Sequence, residues 1–399
     1  MKTIAAEEVG FSSERLENIK PVMQAYVDQK KLPGLITLVA RRGKIVHFER
    51  FGLMDIEANK PMQSDTIFRI CSMTKPITTV AAMMLYEEGH FQFYDPISKF
   101  IPAFMDVKVL ENNPGEQTEL VALEREITIH DLMTHTSGLT YDFFEDSPVD
   151  ALYRKAELLN KDRSLQENVQ ELAKMPLVHQ PGTAWRYSVS TDVLGYLVEV
   201  VAGMPLDVFL KQRIFDPLQM PDTGFYVPQT KIDRFTSLYS LSEGGGLELT
   251  DPPANGEYSK PPVMHSGGGG LVSTTSDYLR FAQMMLNEGE LDGIRLLGRK
   301  SVALMTINHL PEHLIPIGLP GFVMNGYGFG LGFGVVVNAT QTQVLQSDGN
   351  YIWGGAASTA FWIDPKEELI GLLMTQFMPN FYYPLSGQLM VLTYQALVD

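Results

Sequence analysis

The chain has 399 residues, 45% hydrophobic and 20% charged, a composition typical of a globular protein large enough for one domain or two lobes. Its net charge of −16 and the lack of a basic tract argue against nucleic acid as a partner. The single cysteine, Cys71, excludes an intramolecular disulfide, so the fold must depend on its core.

The N-terminal residues show no targeting pattern. Residues 1–11 lack both the basic and the apolar segment of a secretory signal. The sequence contains no run of 18 apolar residues, so we expect no membrane span. These features predict a cytoplasmic protein, whose oligomeric state the sequence leaves open.

The first predicted unit is a helix followed by two strands. Ser12 or Ser13 is expected to cap the helix. Its apolar face comprises Leu16, Ile19, Met23, Tyr26 and Val27. Strands are predicted over residues 35–40 and 45–51, on either side of a turn at 41–44.

The middle of the chain is rich in helical patterns, and strand patterns return near its end. Residues 95–224 are predicted to be mainly helical. The polar stretch 111–126 is predicted to be a surface excursion, and the sequence leaves open whether it forms a lid. The later predicted elements are strands at 334–338, 359–363 and 369–375 and a helix at 385–398.

This order of elements predicts an α+β fold. The simplest arrangement is one antiparallel sheet built from both termini and flanked by helices, with an inserted all-helical lobe. The α/β lobe is expected to cover about residues 1–75 and 270–399, and the mainly helical lobe about 76–269. A site is expected at the seam of the two lobes.

A Ser-x-x-Lys step, Ser72 to Lys75, opens an apolar-periodic helical segment. Three residues of helix put the Lys75 amine on the same face as the Ser72 hydroxyl, close enough to share a proton. A serine needs such a partner because its hydroxyl is a poor nucleophile at neutral pH. We therefore predict Ser72 as nucleophile and Lys75 as base.

Tyr187 is the third candidate catalytic residue. It follows the turn residues Pro181 and Gly182 and precedes a helical stretch. A phenol beside a lysine ammonium can be held as, or near, the phenolate, which can accept a proton from Ser72 and return it to a leaving group. This segment alone, however, is more typical of a tyrosine in an amphipathic core.

Two glycine-containing segments are candidates for the walls of the site. Trp353-Gly354-Gly355-Ala356 is predicted to open the strand at 359–363, where backbone amides could donate to an oxyanion alongside the Ser72 amide. The run Ser266 to Leu271 lacks the lysine of a phosphate-binding loop. It is predicted to be a tight structural loop.

The other candidate groups are predicted to be structural. Ser137 lies at an apparent helix end next to Gly138. Cys71 has no base at helical spacing, and Pro311 interrupts the spacing between two nearby histidines, His309 and His313. We therefore predict no metal site and no cofactor.

Together these segments resemble the serine β-lactamase and penicillin-binding-protein superfamily, and most of all its family VIII carboxylesterases, relatives of the class C β-lactamases. The motifs are Ser72–Lys75, Leu132–Leu139, Tyr187-Ser188, Ser266–Thr274 and Trp353–Gly355. The likeness runs from about residue 8 to the end. It implies a β-lactamase/transpeptidase-like fold and a single catalytic domain over 1–399.

The resemblance also implies roles and two departures. Ser72 would be acylated with the help of Lys75 and Tyr187, and the amides of Ser72 and Ala356 would hold the oxyanion. Trp353, before Gly354 and Gly355, replaces the lysine that lactam-recognising members use for a carboxylate. Another of the substrate-binding positions, Val189, replaces their amide-binding asparagine.

These departures make the pocket more apolar, which favours a neutral ester as substrate. The predicted activity is therefore a serine carboxylesterase acting on small, short-chain acyl esters through an acyl-serine intermediate. The alternatives are an acyltransferase, a weak cephalosporin-hydrolysing β-lactamase, and a catalytically silent binding or scaffold protein.

Overall fold

The computed structural model describes residues 1–111 and 118–399. Its strands are β1 Gly34–Arg41, β2 Lys44–Asp55, β3 Lys60–Pro61, β4 Ile67–Arg69, β5 Lys108–Glu111, β6 Glu119–Ala122, β7 Leu238–Leu241, β8 Leu247–Asp251, β9 Val272–Thr274, β10 Glu290–Leu291, β11 Ile294–Arg295, β12 Gly318–Leu319, β13 Phe322–Val323, β14 Tyr327–Phe329, β15 Gly334–Val336, β16 Tyr351–Gly354, β17 Ala360–Asp364, β18 Leu369–Thr375 and β19 Phe377–Met378.

The α-helices alternate with these strands and are concentrated in the middle of the chain. They are α1 Ser13–Leu16, α2 Ile19–Asp28, α3 Thr74–Glu87, α4 Ile129–Met133, α5 Pro148–Lys155, α6 Leu165–Leu172, α7 Ser190–Ala202, α8 Leu206–Leu210, α9 Thr275–Leu286, α10 Arg299–Met305, α11 Ala339–Thr342 and α12 Leu385–Tyr394.

The central sheet contains strands from both ends of the chain, as predicted. Its order is β14-β15-β16-β17-β18-β1-β2-β3, and every neighbouring pair is antiparallel. Leu35 pairs with Thr375 on β18 and with Phe51 on β2. Because β1 has a partner on each edge and helices on each face, its side chains are buried throughout. This burial explains its nearly unbroken apolar sequence.

Helices cover both faces of the sheet. Leu35 and Val39 of β1 point to the face covered by α2 and α12, where they join Met23 and Leu389 in one core. Alternate residues point to the opposite face and join the larger core. That core contains most of α3 and α9 and extends through α7 into the middle of the chain. The larger core therefore positions α3, which begins two residues after Ser72, the serine of the Ser-x-x-Lys motif.

The inserted segment is mainly helical rather than all-helical. Helices α4 to α8 are accompanied by the hairpin β5–β6 and by the pair β7–β8, to which β19 adds in parallel. These strands are four or five residues long in the segment itself, too short for alternation to reveal them in the sequence. The predicted surface excursion is partly this hairpin, and the question of a lid falls partly on residues 112–117, outside the described residues.

His47 on β2 makes stability depend on pH. Its ring lies 2.7 Å from the Thr37 hydroxyl, and burial lowers the pKa of His47 to about 4. The unfolded chain, with a pKa near 6.5, therefore binds a proton at a higher pH than the folded protein does. The stability that this neutral imidazole contributes is complete above about pH 6.5 and is lost as the pH falls towards 4.

Because of His47, the free energy of unfolding of the wild type is expected to fall by about 2 kcal/mol between about pH 6.5 and pH 5. The variant His47→Gln removes the titrating group, so its free energy of unfolding should fall by that much less over the same interval. Urea unfolding at the two pH values measures both. Equal losses in the two proteins would contradict the assignment.

Candidate active site

Ser72 lies in a tight turn between β4 and α3. Residues Cys71–Met73 form one turn of 3₁₀ helix, so the serine stands just before α3 rather than within it. Cys71 has φ of +45°, a strained value for a residue with a side chain. Burial also raises the pKa of its thiol above the usual value, which leaves little thiolate for reaction.

Lys75 is fully buried and points at the serine. Its Nζ donates to Gly268 O at 2.6 Å and to the Tyr141 hydroxyl at 2.9 Å, and lies 3.4 Å from Ser72 Oγ. A buried ammonium without such acceptors would be strongly unfavourable. The amine is therefore held within reach of the serine by two other segments of the chain.

Tyr187 completes the group. Its hydroxyl donates to Ser72 Oγ at 2.6 Å, and the Lys75 amine lies 4.6 Å from the centre of its ring. The residue precedes α7, whose first turn contains Asp192. The structure thus brings together the three side chains that the sequence analysis singled out.

The glycine run forms a wall of this site. Asp192 Oδ1 accepts hydrogen bonds from the Ser266 hydroxyl and from the Gly268 amide, the latter at 3.0 Å. A Cβ on Gly268 would lie 2.4 Å from Asp192 Oδ2, and one on Gly267 would lie 2.7 Å from the Thr191 carbonyl oxygen. Only glycine permits this close packing, which in turn places the carbonyl that receives Lys75.

Sequence reasoning missed two buried residues of the site. Tyr141 hydrogen-bonds Lys75, and burial raises the pKa of its phenol well above 10, so it stays protonated. Burial likewise raises the pKa of Asp192, an effect that the nearby Lys75 ammonium opposes. The one available signal was the position of an acid in the first turn of the helix after Tyr187. Nothing in the sequence marks Tyr141.

Trp353 and Gly354 end a strand, whereas the sequence analysis placed them at the start of one. They are the last residues of β16, and Gly355 and Ala356 continue into the turn before β17. A Cβ on Gly355 would lie 2.4 Å from the carbonyl oxygen of Ile70, two residues before Ser72. The end of β16 therefore lies against the serine's turn, and Ala356 is exposed in the loop that follows.

Aromatic rings surround Tyr187. The ring centre of Trp353 lies 5.5 Å from that of Tyr187 and 5.3 Å from that of Phe329. Trp185 and His135 pack against the same group, at 6.4 Å and 5.0 Å from Tyr187. This part of the site is therefore mainly apolar.

Val189 lies deeper than the other candidate substrate-binding residues. Its side chain is 1% exposed and lines a small cavity in the core together with Leu158, Val169 and Asp192. Its contact with a substrate stays a prediction.

Ser137, the alternative nucleophile, and His309, a candidate metal ligand, both form hydrogen bonds within the protein. Ser137 is buried, and its hydroxyl lies 2.7 Å from that of Ser190. His309 Nδ1 lies 3.0 Å from His130 Nε2, and its other ring nitrogen lies 2.8 Å from the Leu304 carbonyl oxygen. Among residues 1–111 and 118–399, His, Cys, Asp and Glu form no group of three or more able to hold a metal ion.

The same ranges contain no single helix both long and apolar enough to cross a membrane. The helix α7 and the helical segment Leu206–Phe215 are long and apolar enough only when taken together, and the chain bends by 80° between them.

Comparisons with known proteins identify the family. The β-lactamase family model matches residues 19–394, and the chain belongs to this family. It is 38% identical to protein Rv1367c of Mycobacterium tuberculosis, over 88% of each chain. It is 30% identical to esterase EstB of Burkholderia gladioli, over 91% of this chain and 90% of the relative.

A solved structure supports the same grouping. EstCE1, described as a hydrolase with promiscuous acyltransferase activity, superposes with a TM-score of 0.81 at 27% identity, covering 96% of this chain and 99% of its own. The predicted β-lactamase/transpeptidase-like fold and the resemblance to family VIII carboxylesterases are confirmed.

Proposed function

We propose that this chain is a serine carboxylesterase that hydrolyses small, short-chain acyl esters through an acyl-Ser72 intermediate. At the coarser level it is a serine hydrolase acting on esters, in line with its relatives EstB and EstCE1. The proposed acyl-Ser72 mechanism rests on one observation: two groups able to transfer protons lie close to the same serine oxygen. Ser72 Oγ lies 2.6 Å from the Tyr187 hydroxyl and 3.4 Å from Lys75 Nζ.

Acylation uses this pair to move one proton. In the reactive form of the pair, a phenolate beside an ammonium, the Tyr187 oxygen takes the Ser72 proton as Oγ bonds to the ester's carbonyl carbon. When the tetrahedral intermediate collapses, the bond to the alcohol oxygen breaks and the same proton moves to that oxygen. The alcohol leaves, and the acyl group remains on Ser72.

Deacylation reverses these roles with water. Water bonds to the acyl carbon and gives a proton to the pair of Lys75 and Tyr187. The proton then returns to Ser72 Oγ as the acyl bond breaks. The products are the free acid and the original serine, so no cofactor is needed to balance the reaction.

In both steps the carbonyl oxygen gains negative charge, for which we propose the backbone amides of Ser72 and Ala356 as donors. Two observations support this proposal. Gly355 lies close against Ile70, which brings the loop containing Ala356 near the serine's turn. Ala356 is also an exposed residue of that loop.

The substrate preference follows from the apolar surroundings of the serine. Trp353 packs beside Tyr187, at the position where lactam-recognising members carry a cation for a carboxylate. We propose that the backbone of Gly354 borders the bound ester, whereas Gly355 gives room for the Ile70 carbonyl oxygen. Val189, from its buried position, adds no polar group. A neutral ester needs neither a cation nor an amide partner.

The nearest alternative is acyl transfer to an alcohol or amine on the same site. It is favoured by EstCE1, whose description includes a promiscuous acyltransferase activity. Hydrolysis in the presence of increasing methanol or butanol separates the two, because an acyltransferase forms the new ester in preference to the acid.

Two further alternatives are less favoured. Weak cephalosporin hydrolysis is disfavoured because Trp353 stands where lactam-recognising members have a cation. Turnover of a chromogenic cephalosporin tests this alternative. A silent binding protein would not need Ser72, Lys75 and Tyr187 in contact. The cytoplasmic location stays a prediction.

The test is covalent labelling with turnover. We expect hydrolysis of p-nitrophenyl acetate and butyrate, and one adduct per chain after treatment with a phosphonate ester probe, mapped to Ser72 by peptide mass. A folded protein with no turnover and no adduct, or with the adduct on another residue, would overturn the proposal.

A further inference from the structure

An aromatic side chain lies exposed next to the proposed proton-transferring groups. Phe143 is 62% exposed, although its neighbour Phe144 is buried. Its ring stacks on that of Tyr141, with ring centres 4.6 Å apart and planes 22° apart. The hydroxyl of Tyr141 accepts a hydrogen bond from Lys75 Nζ at 2.9 Å, so the stacked pair of rings begins at the proposed site.

We infer that Phe143 forms one wall of a subsite for a flat, apolar leaving group, so that aryl esters are the preferred substrate class. This inference rests on the proposed function and adds the identity of the alcohol half of the ester. It follows from the arrangement of groups around Ser72.

The side on which the alcohol lies is fixed by proton transfer. In the tetrahedral intermediate the oxyanion points to the amides of Ser72 and Ala356. The leaving oxygen must instead face the groups that protonate it, Lys75 and Tyr187. The ring of Tyr141 packs on that side, 5.2 Å from the ring of Tyr187, and Phe143 extends the same aromatic surface outward.

The loop that carries Phe143 is held in place rather than free to collapse. Arg154 Nη1 donates to the carbonyl oxygen of Phe144 at 2.6 Å and also to that of Asp142. Arg186 binds Asp146 at the other end of the loop, at 2.6 Å. The exposed ring is therefore preorganised, which lowers the entropy lost when a ligand stacks on it.

The charges beside Phe143 also restrict the class of alcohol that can bind there. Asp142 and Glu145 flank it in the sequence, and Glu145 is exposed, whereas the charge of Asp146 is paired with Arg186. These carboxylates disfavour an anionic leaving group, whereas a neutral aromatic ring covers the exposed face of Phe143 without facing a like charge. The fitting alcohol is thus an uncharged phenol or naphthol.

The experiment compares esters that differ only in the alcohol. We expect Phe143→Ala to lower kcat/KM about tenfold for 2-naphthyl acetate, the effect of losing one aromatic contact, and less than about twofold for ethyl acetate. The fall should be the same for 2-naphthyl butyrate, because the acyl half does not touch Phe143. A matched control is Tyr94→Ala, which removes an aromatic ring that is 76% exposed elsewhere.

A binding measurement separates this inference from the proposed function. The product 2-naphthol should bind the wild type about tenfold more tightly than Phe143→Ala in a fluorescence titration, whether or not the ester is hydrolysed. If the wild type hydrolyses no ester, the proposed function fails, and the titration still decides the subsite. Equal falls for 2-naphthyl acetate and ethyl acetate, no fall for 2-naphthyl acetate, or equal naphthol binding by the wild type and Phe143→Ala would overturn the inference.

Discussion

Replacing Ser72 by alanine is expected to lower kcat/KM for p-nitrophenyl acetate by about 10⁴-fold or more, with the fold intact. The change removes the oxygen that Tyr187 and Lys75 contact, and no other group takes its place as nucleophile. Because alanine fits a 3₁₀ turn and leaves no large cavity, thermal unfolding should be nearly unchanged. Stopped-flow turnover and a melting curve on the same preparation measure both.

The most informative control for that variant is Ser137→Ala. Ser137 is the other serine that sequence patterns could assign as nucleophile, but its hydroxyl lies buried beside Ser190. We expect this variant to retain turnover and phosphonate labelling at Ser72. Loss of labelling in Ser137→Ala, or near-normal turnover in Ser72→Ala, would refute the assignment of the nucleophile.

The second large effect is expected for Lys75→Met. Methionine fills a similar volume but removes the amine that lies near Ser72 and donates to Tyr141 and Gly268. Without it, proton removal from the serine depends on Tyr187 alone. General acid–base groups contribute about 10²–10⁴-fold, so kcat/KM should fall within that range.

The control for this variant separates chemistry from structure. Lys99→Met removes an exposed lysine paired with Asp95 and should leave turnover within about twofold. The labelling rate of Ser72 by the phosphonate should fall with turnover in Lys75→Met, because both reactions need the activated serine. Turnover within tenfold of the wild type would mean that Lys75 orders the site without transferring protons.

Local patterns in the sequence were enough to predict the serine and lysine contact. Spacing along a helix puts Ser72 and Lys75 together regardless of the rest of the fold. The strands β1 and β2 were also predictable, because β1 is a nearly continuous apolar run, β2 is rich in β-branched and aromatic residues, and a glycine-containing turn joins them. The central sheet follows from such strands at both ends of the chain.

The missed features depend on packing between distant segments. Tyr141 comes from the loop between α4 and α5, and Asp192 acts through Gly268, whose amide it binds and whose carbonyl oxygen receives Lys75. No local spacing records the approach of these segments to α3. The strand β16 has four residues, which is too short for alternation to be distinguished from a turn. The short strands of the inserted segment escaped prediction for the same reason.

The pairing of β1 with β18 has a consequence for synthesis in the cell. The edge of β1 that pairs with β18 stays uncovered until Thr375, the partner of Leu35, has been synthesised. At about 5–20 residues per second, this delay is roughly 20–70 s, during which a long apolar strand is unpaired on one side. Folding of the sheet is therefore largely completed after most of the chain has been translated, and until then the unpaired edge of β1 is open to pairing with another chain.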